Sequence, residues 1–274
     1  MATITQEDIQ KWSKDLDKDG FLKLENILSE SEVDLYANFY EDVINGKLKE
    51  KIKSHRHDLG SHVERKHESV ENITQVCWPS MFLERYTSIT LENSPLHVKT
   101  LKISKELLGP DMEFDYDMLI TKEGNNETET PWHSDESYWL NLADRRSLSF
   151  WFPMRDVGVE DGCMWFVPGS HKHPMRPHRP VKEGQHVLMT DECSNDEGVP
   201  QPLKRGGCTV HTGRVLHYTA GNTTNLPRRA YIVNYRPKTM IEFERANNYD
   251  HGKGGIGNLA RGLERSTTAT ILRD

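Results

Sequence analysis

The chain has 274 residues, 35% hydrophobic and 28% charged, with a formal net charge of −7 and a pI near 6.0. That length accommodates one sizeable domain, and the acidic balance gives no general attraction for nucleic acid or an anionic membrane. No apolar run approaches the ~20 residues of a membrane-spanning helix. Residues 1–8 lack the basic start and apolar stretch of a secretory signal, and the final Ile-Leu-Arg-Asp matches no peroxisomal or ER-retention signal. Cys77, Cys163, Cys193 and Cys208 are far apart and form no C-x-x-C pair. Reduced thiols in an intracellular, cytoplasmic protein are therefore expected.

The amino-terminal 110 residues read as mainly helical. Thr5 is an N-cap followed by Glu7 and Asp8 in an acidic first turn, and the helix stops at Asp19-Gly20. Phe21, Leu22, Leu24 and Ile27 form a short apolar run that suits a strand. Ser29 and Glu32 have capping-box spacing. Val33, Tyr36, Phe39, Tyr40 and Val43 then recur at helical spacing and predict one buried face. A third helical pattern over 89–108 ends at Gly109-Pro110.

From Phe114 the pattern changes to short apolar runs at 114–121, 148–154, 163–167, 208–211, 215–219 and 229–235, separated by turn signals. Helices followed by many short strands predict a mainly β protein with flanking α. The expected architecture is a double-stranded β-helix (jelly roll, cupin-like) braced by N-terminal helices. We expect one domain over 1–274: helical support and lid to 110, jelly-roll core over 111–237, and a tail from 238. Residues 51–72 are polar and read as a surface excursion or lid. The tail contains Gly252, Gly254, Gly255 and Gly257 and is expected to be mobile in part. Its Gly-Lys-Gly-Gly-Ile-Gly has no strand before it and no helical pattern after it, so it is not a dinucleotide fingerprint.

His133 and Asp135 stand two residues apart, and His217 follows His133 by 84 positions. Residues i and i+2 of a strand share a face, so one short segment can present both, with Ser134 turned away. His217 lies in an apolar strand that a polar residue enters only at a cost. Two imidazoles and a carboxylate are the facial triad of non-haem iron(II), which leaves coordination positions open. H-x-D alone is a common triplet, and His217 alone could be a hydrogen-bonded core histidine. Thr219 and Arg228 strengthen the pattern, adding a hydroxyl and a guanidinium suited to the far carboxylate of a dicarboxylate co-substrate. A one-residue register slip would turn Arg229 inward instead.

At these residues the chain resembles the phytanoyl-CoA dioxygenase family of iron(II)/2-oxoglutarate oxygenases, over about residues 19–237. Pro131 to Asp135 looks like the family's H-x-D motif, commonly preceded by Trp. Asp161-Gly162-Cys163-Met164-Trp165-Phe166-Val167-Pro168-Gly169-Ser170-His171 is similar to its signature ending in P-G-S-H. His217-Tyr218-Thr219 through Arg228-Arg229 looks like its distal H-x-[ST] and arginine pair. The resemblance implies that His133, Asp135 and His217 ligate iron and that Arg228 and Thr219 bind the C5 carboxylate of 2-oxoglutarate. Lys122 and Trp151 match positions lining that co-substrate in some members; otherwise they are a surface lysine and a core tryptophan. His171 would shape a loop. The implied reaction consumes dioxygen and 2-oxoglutarate, releases succinate and carbon dioxide and oxidises a substrate C–H bond, with ascorbate in support. Asp135 argues against halogenation, because related halogenases carry Gly or Ala there.

The substrate is less legible than the metal. Trp132, Tyr138, Trp139, Trp165 and Asp117 form an aromatic surround with one acid. His171, Lys172, His173, Arg176, His178, Arg179, Lys182 and His186 point either to an anionic group on a small-molecule substrate or to a solvated loop broken by Pro174, Pro177 and Pro180. His55, His57, His62 and His67 lack the apolar flanks that orient metal ligands, and read as a lid or surface loop. Two other classes compete. A divalent-metal hydrolase could use the same triad, but it needs no dicarboxylate anchor. A non-catalytic metal-binding jelly roll is the other.

Overall fold

Reciprocal capping starts the first two helices. Thr5 Oγ1 accepts from Asp8 N at 3.1 Å while the Asp8 carboxylate accepts from Thr5 N at 2.8 Å, which begins α1 (Gln6–Asp19). Gly20, at φ +83°, ends it in the left-handed region that favours glycine. After β1 (Phe21–Leu24), Ser29 and Glu32 repeat the device for α2 (Glu30–Ile44), which buries the predicted stripe. The computed structural model describes residues 4–65, 68, 70–183 and 187–255; His67, His186, Gly257 and the rest of the tail lie outside them.

The next elements are β2 (Arg56–Asp58), β3 (Thr74–Cys77), α3 (Pro79–Tyr86) and α4 (Pro95–Leu108). α4 begins at Pro95 rather than near Ile89, because proline suits a helix's first turn. Strands follow: β4 (Met112–Lys122), β5 (Thr130–His133), β6 (Leu148–Pro153), β7 (Met164–Phe166), β8 (Arg179–Pro180), β9 (Leu188–Met189), β10 (Val199–Gln201), β11 (Cys208–His211), β12 (His217–Thr219) and β13 (Arg228–Pro237), then α5 (Lys238–Ala246). Seven strands form one sheet in the order β1-β11-β6-β13-β4-β3-β2, and four form a second in the order β10-β7-β12-β5. The strand-rich double-sheet architecture with helical bracing agrees with the expected jelly roll.

Alternation along the central strands divides the molecule. Phe150 and Phe152 of β6, with Tyr231, Val233 and Tyr235 of β13, pack in one core with Tyr36, Tyr40, Leu96 and Ile103 of the helices. Trp151, Ala230 and Ile232 pack in another with Met164 and Phe166 of the second sheet. The cavity described below opens on this second side.

Two polar segments have buried roles. Residues 51–72 are not simply a surface excursion, since β2 pairs with β3 at the edge of the large sheet. Their polarity serves a buried carboxylate: Asp58 accepts from the backbone N–H of Gly60, Asn72 and Ile73 at 2.9–3.1 Å and from Arg65 Nε at 2.8 Å. In the described part of the tail, α5 and His251 join an ion network with β4 and β13. Buried Arg236 donates to Asp115, Glu244 and His251, and Arg245 also donates to Asp115. Asp115, Glu244 and His251 are a metal-type trio, but the Arg236 guanidinium already bonds to all three. Among the described residues, no helix is long and apolar enough to cross a membrane.

Arg236→Met would leave Asp115 and Glu244 buried against a single remaining arginine. We predict a loss of about 3–5 kcal/mol, read from urea denaturation; an unchanged midpoint would show the network is not needed for stability.

Candidate active site

β5 and β12 are neighbours in the smaller sheet, with His133 opposite His217 and ring centroids 4.1 Å apart. Ser134 remains extended, so alternation carries one residue beyond β5 before the chain turns into the 3-10 segment Asp135–Tyr138. Asp135 therefore reaches the histidines from a turn, not from the strand itself. His133 Nδ1 lies 2.7 Å from the Pro131 carbonyl and His217 Nδ1 lies 3.1 Å from that of Val215. With each Nδ1–H donating to a carbonyl, each Nε2 lone pair is left for a metal. Asp135 Oδ1 is 3.4 Å from His217 Nε2 and 3.9 Å from His133 Nε2. Ligand atoms of the three residues all lie within 4.8 Å of one another, and a transition-metal ion needs ~2 Å to each.

Two partners of Asp135 went unnoticed in the sequence. Ser149 Oγ lies 2.9 Å and His211 Nε2 3.2 Å from Asp135 Oδ2. The available signal was that both lie on predicted strands, but nothing local marks a strand serine or histidine as facing a metal ligand. Burial disfavours the Asp135 charge, yet His217 and the His211 hydrogen bond hold its carboxyl well below the usual range. Burial, assisted by His217, takes His133 down to about 3, keeping it neutral.

At the other end of the cavity, Arg228 of β13 pairs with Lys122 of β4, and both side chains are buried. Arg229 points the other way, to Glu41. Nε and Nη2 of Arg228 have no hydrogen-bond partner, and its guanidinium lies 5.4 Å from the Trp151 ring. Lys122 is not a surface lysine. Its Nζ donates to Thr219 Oγ1 at 2.8 Å and to the Thr219 and Ala220 carbonyls at 3.1 and 2.9 Å. Thr219 thus accepts from Lys122 and keeps its own proton to donate into the cavity. Burial pulls Arg228 down to about 10; burial and then Arg228 push Lys122 well below its usual value. Lys122 spends its three N–H groups on Thr219 and Ala220, so the unused donors are those of Arg228, whose guanidinium fork suits a carboxylate. Arg228, Thr219 and Trp151 line the cavity, whereas Lys122 stands behind Thr219.

The cavity admits the centres of water-sized molecules over about 160 Å³, space for on the order of ten waters. Its walls include Leu59, Tyr116, Tyr138, Trp139 and Tyr249. Asp117 also lines it, but accepts from Ser80 and Tyr231. Trp132 faces away and stacks on Tyr218. In the 171–186 stretch, Lys172, Arg176 and Arg179 face Asp17, Glu197 and Asp191. None of these three cations lines the cavity, whereas half-buried His178 accepts from Ser134 N at 3.0 Å, between His133 and Asp135. His171 bonds to the Asp17 carbonyl, consistent with a loop-shaping role. His55, His57 and His62 belong to neither metal-type group found among the described residues. In the 161–171 signature, a Cβ on Gly162 would lie 2.6 Å from the Ala220 carbonyl, and Ser170 Oγ accepts from Leu216 N at 2.9 Å. That segment therefore braces the strand carrying His217.

The family model described as phytanoyl-CoA dioxygenase (PhyH) matches residues 16–230. Phytanoyl-CoA dioxygenase domain-containing protein 1 of Mus musculus is 31% identical over 122 residues, covering 42% of this chain and 42% of that protein. A probable alpha-ketoglutarate-dependent hypophosphite dioxygenase of Stutzerimonas stutzeri is 22% identical, over 80% of this chain and 75% of its own length. Among solved structures, EvdO2 from Micromonospora carbonacea var. aurantiaca complexed with 2-oxoglutarate aligns with a TM-score of 0.66 at 27% identity, covering 86% of this chain and 92% of that one.

Arg228→Ala should weaken 2-oxoglutarate binding to the manganese(II)-loaded protein about 10- to 100-fold, measured by calorimetry, with Arg229→Ala close to wild type. The opposite ranking would assign the anchor to the wrong arginine.

Proposed function

The chain belongs to the phytanoyl-CoA dioxygenase (PhyH) family, and from that we propose an iron(II)- and 2-oxoglutarate-dependent dioxygenase that oxidises a C–H bond of a small metabolite. The observation that carries the reading is Arg228, buried with two donor nitrogens unpartnered in the cavity that also contains His133, Asp135 and His217. Such a guanidinium is costly to bury and has no task in metal-assisted hydrolysis. A dicarboxylate co-substrate gives it one.

In this reading His133 Nε2, His217 Nε2 and one Asp135 oxygen hold the iron, and Arg228 with the Thr219 hydroxyl holds the far carboxylate of 2-oxoglutarate. Bound iron and 2-oxoglutarate supply the oxidising chemistry, using dioxygen and releasing succinate and carbon dioxide. The protein contributes placement and dryness. Lys122 fixes Thr219, Trp151 covers the guanidinium, and Tyr138 and Trp139 help enclose the cavity. Asp135 supplies a third protein ligand, which supports oxygenation over halogenation.

Succinate should form from 2-oxoglutarate in air with added ferrous iron, including slow turnover without substrate, and ascorbate should sustain it. His133→Ala, Asp135→Ala and His217→Ala should each abolish it. Succinate formation that persists in all three variants would sink the proposal.

A further inference from the structure

We infer that Ser149 and His211 hold Asp135 to one-oxygen metal ligation, and so keep open a coordination position that the reaction needs. The inference rests on the metal-binding reading of the triad. A carboxylate can bind an ion through one oxygen or through both. Here the two oxygens are treated differently: Oδ1 faces His217 and His133, whereas Oδ2 meets Ser149 Oγ at 2.9 Å and His211 Nε2 at 3.2 Å.

The donors belong to a polar row across four adjacent strands. In register, Tyr116 of β4 faces Asn234 of β13, Asn234 faces Ser149 of β6, and Ser149 faces His211 of β11. These strands lie inside the seven-stranded sheet, so neither donor moves without its neighbours. The His211 ring is further confined by Phe166 and His217, at centroid distances of 5.3 and 4.5 Å. Its Nδ1 has no hydrogen-bond partner, which places the ring proton on Nε2, facing the carboxylate.

Ser149 has one proton and two neighbouring oxygens, Asp135 Oδ2 and Asn234 Oδ1. The charged carboxylate is the stronger acceptor. A half-turn of the Asn234 amide then lets its nitrogen, otherwise unpartnered, donate to Ser149 Oγ. Asn234, Ser149 and Asp135 become a directed chain ending on Oδ2. Released from both donors, Oδ2 can close onto the metal and take a position that 2-oxoglutarate or dioxygen requires. Ser149 and His211 are positioning residues, because they act through Asp135.

The test uses the anaerobic full-length protein with iron(II) and 2-oxoglutarate, titrated with nitric oxide as a dioxygen surrogate and followed by electron paramagnetic resonance. Wild type should take up nitric oxide at the iron. With iron saturating, His211→Leu and Ser149→Ala should bind nitric oxide about tenfold or more weakly than wild type, because the freed Oδ2 occupies the position it needs. His211→Gln, which retains an N–H at a similar reach, should stay near wild type. Circular dichroism checks folding; if His211→Leu does not fold, the smaller Ser149→Ala change decides. Wild-type affinity for nitric oxide in the folded, iron-loaded variants would overturn the inference and leave the triad intact. A wild-type protein that binds no iron, or a His133→Ala variant that binds it equally well, would instead overturn the triad reading.

Discussion

Side-chain alternation on β13 is the constraint on which the rest of the structure depends. One face of this strand gives Tyr231, Val233 and Tyr235 to the core shared with the helices. The other gives Arg228, Ile232 and Asn234 to the cavity. A one-residue slip against β4 would exchange these sets, placing aromatic rings in the cavity and a guanidinium under α2. The hydrophobic gain from burying Tyr231 and Tyr235 against Tyr36 and Leu96 therefore also selects which arginine faces inward. Core packing and site assembly are one choice.

That choice produces a cavity with electrically opposite ends. Asp135 stays ionised at one end because His217 and His211 outweigh the burial penalty. Arg228 and Lys122 form the cationic end, next to Thr219. The two ends lie on different sheets, so their separation is set by sheet packing rather than by loops. Each end is expensive alone, and the bound metal and dianion offset both costs.

Where the sequence was legible, the reason was local. Thr5–Asp8 and Ser29–Glu32 are readable because a capping box is four residues long, and the β13 pattern is readable because its period is two. His133, Asp135 and His217 stand in motifs that resemble a known family. Polarity in residues 51–72 and around His251 has a long-range reason. Asp58 is buried among backbone N–H groups contributed partly by Asn72 and Ile73, and His251 is buried by Arg236 and Glu244. Composition cannot distinguish such residues from solvated ones. Ser149, His211 and Asn234 were missed for the same reason: they meet only when β11, β6 and β13 come into register.

The distribution of charge also limits how the cavity can recognise a substrate. Asp117 is occupied by Ser80 and Tyr231, and Glu129 accepts from Tyr218 at 2.7 Å. Arg228 brings unpartnered donors into the cavity, and the nearby loop cations meet carboxylates outside it. What remains free to face a substrate is chiefly ring and hydroxyl surface from Tyr116, Tyr138, Trp139 and Tyr249. Tyr138 Oη accepts from Leu188 N and so retains a proton to donate. Walls of this kind offer shape, ring contact and a few directed hydrogen bonds.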